Sequence, residues 1–534
     1  MYLRITKVKR NGKVWEYARI VEGYREGNKV KHRIVKYLGP IKSEADRERF
    51  KRIAEGIKAG KKFVRFGELR VKSDFDFGAV YTVEQLWGAY GISDVLTKAF
   101  ADGEFGYDAP KIVRLLATHR LHRPSSDLAT CEWIKNEAFG GIEEIKPKHI
   151  YRALEQLIVR KEKIEVGIFK ELQRRLDLKM DLVFYDLTSS YFEGEGPKLA
   201  KFGYSRDHRA DRKQLVLALA MIDGMPIAHE VFEGNTADRA TLRYAVKKLK
   251  EKFDIKQIIF VADRGLFSGG NIDFLDEEGY EYIIATKRRW DKEIEKLMLT
   301  RIETREKVFA KEVKREGNRR YILCVNKDTE REEREFLREL RRSLEQKLKE
   351  LSDSYLREGK GRKPSKQNLL NGASRILGRH KRLFNLDFDR GLRFSLNRGV
   401  WAYENAIAGR FLLVTTSDLA AKRVMGSYKE LRSVECAFKE IKHFVDIRPI
   451  YHFEDRMVKA HVFVCVLAYL TEALIQRLVP HQSARKTIQE LRGIRAIELT
   501  TKECEGVFLR DLTWSDRTLF KSLGVPVPER ILEA

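Results

Sequence analysis

Between residues 181 and 290 the chain alternates short apolar strands with helical stretches, and two of the strands carry an aspartate where a charge is costly. The run LVFYDLTSSYF is apolar on both faces, the pattern of a strand in the middle of a covered sheet, and Asp186 lies inside it. A carboxylate there is unfavourable unless it is paired or binds a metal. The run IIFVADRGLF is a second such strand and ends at Asp263, where Arg264 and Gly265 turn the chain. Carboxylates at the ends of parallel strands face the crevice in which open α/β sheets bind ligands. The same region predicts strands over 181–187, 214–222, 226–232, 255–262 and 280–286, with a hairpin across Asp223-Gly224 and helices over 239–253 and 270–278.

The chain is 534 residues long, beyond the roughly 250–300 at which single cores stop growing, so several domains are expected. Residues 1–72 read as a basic β-rich region: strands over 3–10, 14–22 and 29–38, the first two joined at Asn11-Gly12, a strong hairpin signal. Residues 73–178 read as a helical domain, with helix starts at Ser125-Ser126-Asp127 and Pro147-Lys148, and with His149, Tyr151 and Arg152 as a candidate recognition-helix start. Residues 179–290 form the first part of an α/β core and 291–415 an insertion. Residues 291–325 look charged and strand-like, and a long charged helix over 329–358 carries a stripe from Leu337 to Tyr355 suited to a helical hairpin or short coiled coil. Strands are expected again over 392–400 and 411–415. Residues 416–480 return to the core with helices over about 427–444 and 455–478, and 481–534 form a C-terminal region.

Charge narrows the function. Lys and Arg number 105 against 79 Asp and Glu, a net +26, and residues 1–72 alone hold 22 against 8, a net +14. Such clustering points to a polyanion, nucleic acid first, and to a phosphate-contacting N-terminal module. The five cysteines, at 131, 324, 436, 465 and 504, have no zinc or disulfide spacing. The opening MYLRITKVKRNGK has no apolar core of a signal peptide, and Val462–Leu470 is shorter than the ~20 residues of a membrane span, so a buried helix, no membrane partner and a cytoplasmic, nucleoid-associated location are expected.

A third acid, Glu435, lies on the stretch SYKELRSVECAFKEIKHF. At about 100° per residue from Tyr428, Arg432 falls near 40°, Glu435 near −20° and Lys442 near −40°, so one helix edge presents a Tyr, an Arg, a Glu and a Lys. That edge suits a metal-holding Glu among phosphate-gripping neighbours. Three carboxylates can hold two divalent ions, the pair that activates a water or 3′-hydroxyl in phosphodiester cleavage. The loop GYSRDHRADRKQ crowds Arg206, His208, Arg209, Arg212 and Lys213 just after the first of these strands, a candidate DNA contact. His443, His452 and His461 recur every nine residues, a spacing that fits neither a helix face nor a metal site.

YDLTSSYFEG, FGYSRDHRADRKQLVLALAMIDGMPIAHEVFEGNTAD, VADRGLFS and YKELRSVECAFKEIKHFVDIRPIYH occur in this order. Through them the chain resembles the insertion-sequence DDE transposases, and within these the group with a Tyr-Arg-Glu-Lys signature. The resemblance implies a multidomain α/β protein with a ribonuclease-H-like catalytic core, interrupted by a β-rich plus helical insertion and preceded by a small β-hairpin region and a helical domain. It implies Asp186, Asp263 and Glu435 as catalytic and metal-binding residues for two Mg²⁺ or Mn²⁺ ions. Tyr428, Arg432 and Lys442 would contact the phosphates of the transposon end, alongside Arg206, His208, Arg209 and Lys213. The family pattern sets its Arg three residues after the Tyr, where this chain has Leu431; Arg432 is the nearest. In the family the insertion helps hold a hairpin or a flipped end base, for which Trp290 and Trp401 are candidates. Partners are then double-stranded DNA, as inverted-repeat ends and target, and a second subunit in a homodimer on DNA. The rival readings are a metal-dependent nuclease of the same fold that does not transpose, and a catalytically silent DNA-binding protein.

Overall fold

The first hairpin forms where alternation and Gly12 place it. β1 (Tyr2–Arg10) pairs antiparallel with β2 (Lys13–Glu26), and β2 with β3 (Lys29–Ile41). Gly12 and Gly27 take positive φ at the two turns, the conformation tight hairpins require. Ala18, Ile20 and Val21 on β2 are buried with Phe50 and Ala54 of α1 (Glu44–Lys58), while most of the basic side chains of β3 remain exposed. The Ser43 hydroxyl caps α1 by accepting from the Asp46 amide at 3.2 Å. β4 (Arg70–Asp76) follows. The computed structural model describes the chain except for residues 11, 60–68, 104, 179–180, 254–258, 267, 288–291, 357–364, 390, 502–504 and 534. Asn11 and Trp290 lie outside the described residues.

The chain divides into two compact units, residues 1–75 with 495–512 and 528–534, and residues 76–494 with 513–527. The second begins with six helices, α2 (Gly78–Ala89), α3 (Ile92–Phe100), α4 (Ala109–His122), α5 (Asp127–Asn136), α6 (Pro147–Val159) and α7 (Lys161–Arg175). Ser126 caps α5 by accepting from the Ala129 amide (3.2 Å), and Pro147 opens α6, both at the expected starts. His149 is tied locally: its Nδ1 accepts from the Lys146 amide (3.2 Å) and its ring stacks on Tyr107.

An eight-stranded sheet is the core of this unit. Its strands are β5 (Leu182–Tyr191), β6 (Gln214–Ile222), β7 (Met225–Glu233), β8 (Ile259–Ala262), β9 (Glu281–Ala285), β10 (Val308–Glu316), β11 (Arg319–Asn326) and β14 (Arg410–Thr415), in the order β10-β11-β14-β9-β8-β5-β6-β7. β5, β6 and β7 form an antiparallel meander, whereas β8 and β9 run parallel to β5. α8 (Asp238–Phe253) and α9 (Gly269–Glu277) connect the parallel strands, and their apolar faces enter the same core as β5, β6 and β8.

Three expectations are corrected here. Within 291–325, residues Lys292–Met298 form a helix, α10, because Ile294 and Met298, one turn apart, are buried against Leu323, Ile407 and Leu412. The strands over 308–326 extend the main sheet, so the inserted layer is confined to residues 327–409, between β11 and β14. There α11 (Lys327–Leu356) lays its leucine stripe on α12 (Lys366–Leu377) and on the hairpin of β12 (Phe384–Phe388) and β13 (Leu392–Leu396), with Leu344 and Leu348 buried. The strand expected over 392–400 ends at Leu396, since the Asn397 side chain accepts from the Val400 amide (3.1 Å) and starts α13 (Arg398–Ala406).

The stretch around residues 427–444 is two helices, α14 (Ala421–Glu430) and α15 (Arg432–His443), divided at the buried Leu431. α16 (Asp455–Leu478) is long and apolar enough to cross a membrane by length and composition alone, and it is almost wholly buried, packed on α4, α6 and β7. Trp87 donates its indole N–H to Thr471 on it at 2.8 Å. α17 (Ala484–Arg492) and α18 (Trp514–Ser522) complete this unit, and β15 (Arg495–Thr500), β16 (Glu505–Leu509) and β17 (Ile531–Glu533) join β4 in a four-stranded sheet of the first unit.

Candidate active site

Register brings the first two acids together. In the parallel pairing of β5 with β8, Tyr185 lies opposite Ala262, so the next residue of each segment, Asp186 and Asp263, falls at the same level. α15 packs on β5 and carries Glu435 in its first turn. All three carboxylates line one open cleft, with Arg206, Asp207 and Lys442 also on its wall. Asp186 is half-buried, and its carboxyl is pushed up to about 7, first by burial and then by the like charges of Asp263 and Glu435. Glu435 is exposed at the cleft.

Tyr428 and Lys442 are both tied to acids. Tyr428, on α14, donates its hydroxyl to the Asp263 carboxylate at 2.8 Å; burial, and then that carboxylate, push the phenol well above its ordinary value, so it stays a donor. A one-residue turn at Leu431, whose own backbone stays in the right-handed helical region (φ −54°, ψ −26°), separates the helix of Tyr428 from that of Glu435. Lys442 is buried and donates to Asp207 at 2.7 Å; burial holds its ammonium below the ordinary value in spite of that carboxylate. Arg448 lies 3.5 Å from the other oxygen of Asp207. Arg432 is exposed on α15, and among the described residues it is not part of the cleft lining.

The loop between β5 and β6 divides its basic residues. Arg206 reaches the cleft, and its amide donates to Ser189 at 2.8 Å. Arg209 pairs with Asp211 (2.8 Å) and Lys213 with Glu195 (2.5 Å), while His208 is exposed in a left-handed conformation at φ 57°. Sequence reasoning passed over Asp207, a fourth carboxylate of the cleft. Its signal is its place inside the basic motif, where two acids, Asp207 and Asp211, stand among five basic residues as internal partners. Trp401 is half-buried among the apolar residues of the α11–α12 layer, with the Arg341 guanidinium 5.4 Å from its ring.

The histidines need a correction. His452 and His461 are brought together with Asp127, ligand atoms within 4.8 Å of one another, because the loop before α16 folds back over α5. His452 pairs with Asp127 at 3.0 Å, and the Arg120 guanidinium lies 3.4 Å from Nδ1 of His461. With a buried guanidinium occupying the group, it works as a clamp between helices and loop.

The donor set of the cleft fits a divalent metal. Three carboxylates converge on the cleft, and burial together with their mutual repulsion raises Asp186. An all-oxygen anionic set of this kind suits hard cations such as Mg²⁺ or Mn²⁺.

Comparison with known proteins gives two family matches: the Transposase DDE domain over residues 177–471, more than half of the chain, and the IS1634 family transposase N-terminal domain over residues 3–65. No curated protein matches the chain. Among solved structures, the piggyBac transposase synaptic complex with hairpin DNA, determined by cryo-electron microscopy, aligns over 77% of this chain and 78% of that one, at 9% identity and a TM-score of 0.34.

Proposed function

The chain belongs to the Transposase DDE domain family, and from that premise we propose that it binds the terminal inverted repeats of an insertion sequence, cuts one DNA strand at each end and joins the freed 3′-hydroxyl to target DNA. The observation that carries this reading is the meeting of Asp186, Asp263 and Glu435 in one cleft. The sheet supports a ribonuclease-H-like core: an antiparallel meander β7-β6-β5 followed by β8 and β9 parallel to β5.

Asp186, Asp263 and Glu435 would hold two Mg²⁺ or Mn²⁺ ions. Bound there, such ions lower the pKa of an attacking water or 3′-hydroxyl and stabilise the leaving oxygen. Tyr428 orients the Asp263 carboxylate through its hydrogen bond. Arg206 and Lys442 on the cleft wall grip the phosphates flanking the scissile bond, with Arg432, His208, Arg209 and Lys213 further along the strand. The Tyr-Arg-Glu-Lys group fits Tyr428, Glu435 and Lys442, with Arg432 serving for its Arg. Residues 1–72 and the helical region 73–178 grip DNA through phosphate contacts. Two ends must be processed together, so a homodimer assembles on DNA, and the enzyme works in the cytoplasm on the nucleoid.

The test is strand transfer by purified full-length protein on DNA bearing the element's inverted ends, with Mg²⁺ or Mn²⁺. Joined products are expected from the wild type and none from Asp186→Asn or Glu435→Gln. Fragments without joined products would identify a nuclease. Full cleavage by either variant would overturn the assignment of the acids. Absence of both products, with no carboxylate-dependent Mn²⁺ binding by calorimetry, would identify a silent DNA-binding protein.

A further inference from the structure

Four aromatic side chains point into solvent from the two loops that flank the acid cleft. Phe202 and Tyr204 are 62% and 76% exposed, and Tyr451 and Phe453 are 64% and 81% exposed. The first pair sits on the loop between β5 and β6, which places Arg206 and Asp207 in the cleft; the second sits on the segment between α15 and α16. The two loops are joined twice: the Leu199 amide donates to the Asp455 carboxylate at 2.9 Å, and Arg448 lies 3.5 Å from Asp207.

Both loops lack regular structure over the aromatic residues, yet both are held firmly. In the first, Ser189 and Ser205 accept from the amides of Arg206 (2.8 Å) and Arg209 (3.0 Å), and the Gln214 amide bonds the carbonyls of Arg209 and Arg212, each at 2.8 Å. Gly203 lies so close to Gly234 that a Cβ on it would meet the Gly234 carbonyl oxygen at 1.8 Å. In the second, Arg120 donates to the Asp446 carbonyl (3.1 Å), His461 bonds the Ile447 carbonyl (2.9 Å), and His452 is drawn inward onto Asp127 (3.0 Å). With His452 pinned inside, its neighbours on either side, Tyr451 and Phe453, are the side chains left outside.

Large aromatic faces kept in water by a rigid scaffold are unfavourable unless something covers them in the working state. Of the four rings, that of Tyr204 has a guanidinium beside it, Arg206 at 5.7 Å, and on the neighbouring Tyr191 ring Arg209 of the first loop and Arg448 of the second meet, at 5.0 and 4.5 Å. Exposed aromatic faces beside guanidinium groups bind unpaired nucleobases: bases of any sequence stack on the rings while the cations hold the backbone. Paired duplex offers no free base faces to such a surface.

We propose that Phe202, Tyr204, Tyr451 and Phe453 form a stacking rim that takes the unpaired bases of a DNA strand opened beside the scissile phosphate. This rests on the transposase reading above and deepens it: the cleft is fed by a frayed end rather than by intact duplex.

Full-length protein is titrated with end DNA carrying a short unpaired segment at the cleavage position, and with the same DNA fully paired, each with 2-aminopurine in that segment. Two double variants, Phe202→Leu with Tyr204→Leu and Tyr451→Leu with Phe453→Leu, keep apolar bulk and remove the ring faces. Each is expected to weaken binding of frayed DNA roughly tenfold per lost stack while changing paired-duplex binding about twofold or less. The quenching of 2-aminopurine seen with wild type should be lost. The proposal is overturned if frayed and paired DNA weaken equally, if neither changes, or if the variants alter only self-association in sedimentation, which would make the rim a subunit interface. A wild type that cuts and joins nothing would sink the transposase reading and leave the frayed-versus-paired comparison still readable.

Discussion

The Lys442–Asp207 pair allows a quantitative test of how the cleft is held together. The two groups are 2.7 Å apart, with only 9% and 16% of their side chains exposed, and Arg448 stands 3.5 Å away on the far side of the carboxylate. Removing one member of a fully buried pair typically costs about 3–5 kcal/mol because the other charge is stranded. Lys442→Met leaves Asp207 with Arg448, so about 2 kcal/mol is expected, below that range. Asp207→Asn leaves two cations facing one neutral amide, and about 2–3 kcal/mol is expected. The double variant should recover about 1–2 kcal/mol of the sum, the coupling of residues in direct contact. Urea unfolding followed by tryptophan emission measures all three, with Trp87 and Trp133 both buried in the same unit. DNA binding should move differently: Lys442→Met lowers the salt slope by about one, whereas Asp207→Asn frees two cations and tightens binding several-fold at the expense of stability. A coupling below about 0.5 kcal/mol, or an Asp207→Asn protein that binds DNA no better than wild type, would refute Asp207 as the internal partner of these cations.

Two further outcomes follow from single positions. Glu472 on α16 is buried and its carboxyl is held well above the ordinary carboxylate range, first by burial and then by Glu440 beside it. A raised folded-state pKa means stability that is full below the unfolded value of 4.5 and is lost as pH rises toward the folded value; denaturant midpoints should therefore fall from pH 5 to pH 8, and Glu472→Gln should flatten that fall by about 1 kcal/mol or more. Gly203→Ala forces a Cβ against the Gly234 carbonyl oxygen, so the β5–β6 loop must shift; limited proteolysis should cut the variant within residues 199–213 where wild type resists, and an unchanged digestion pattern would show that the loop is not held there.

What was legible in the sequence was whatever depends on local pattern. β6 occupies the expected 214–222, and β1, β2 and β3 follow their alternation and glycine turns, because period-two burial and positive-φ turns are encoded within a few residues. Asp186 and Asp263 stood out because an acid in a doubly apolar strand is conspicuous wherever the strand pairs. Features that depend on distant partners were illegible. Nothing near residue 431 signals a helix break: Leu431 fits the apolar stripe of one continuous helix, and the division is a matter of packing. The charged edge strand β10 alternates weakly, so with the adjoining β11 it read as an insertion, although both extend the main sheet. His452 and His461 meet only because the chain turns back before α16, which a nine-residue spacing cannot express.

The charge of the chain acquires a different meaning at the cleft. A net +26 draws a polyanion, yet the acids of the cleft would repel a phosphate brought to them. The structure distributes that conflict among particular residues. Asp207 is answered by Lys442 and Arg448, and Asp263 by the Tyr428 hydroxyl, whereas at Asp186 burial and two like charges outweigh the Leu187 amide and Arg206 and push the carboxyl up to about 7. The unrelieved repulsion is therefore concentrated on the acid at the centre of the sheet. A divalent cation bound there would relieve the repulsion directly, and the same cation would turn a cleft that rejects phosphate into one that accepts it. DNA binding at the cleft should accordingly strengthen with metal, while binding through residues 1–72, with their net +14, should not. Comparing Mn²⁺-dependent affinity for end DNA in wild type and in Asp186→Asn separates the two contributions. Equal metal dependence in both proteins would show that the acids do not govern access to the cleft.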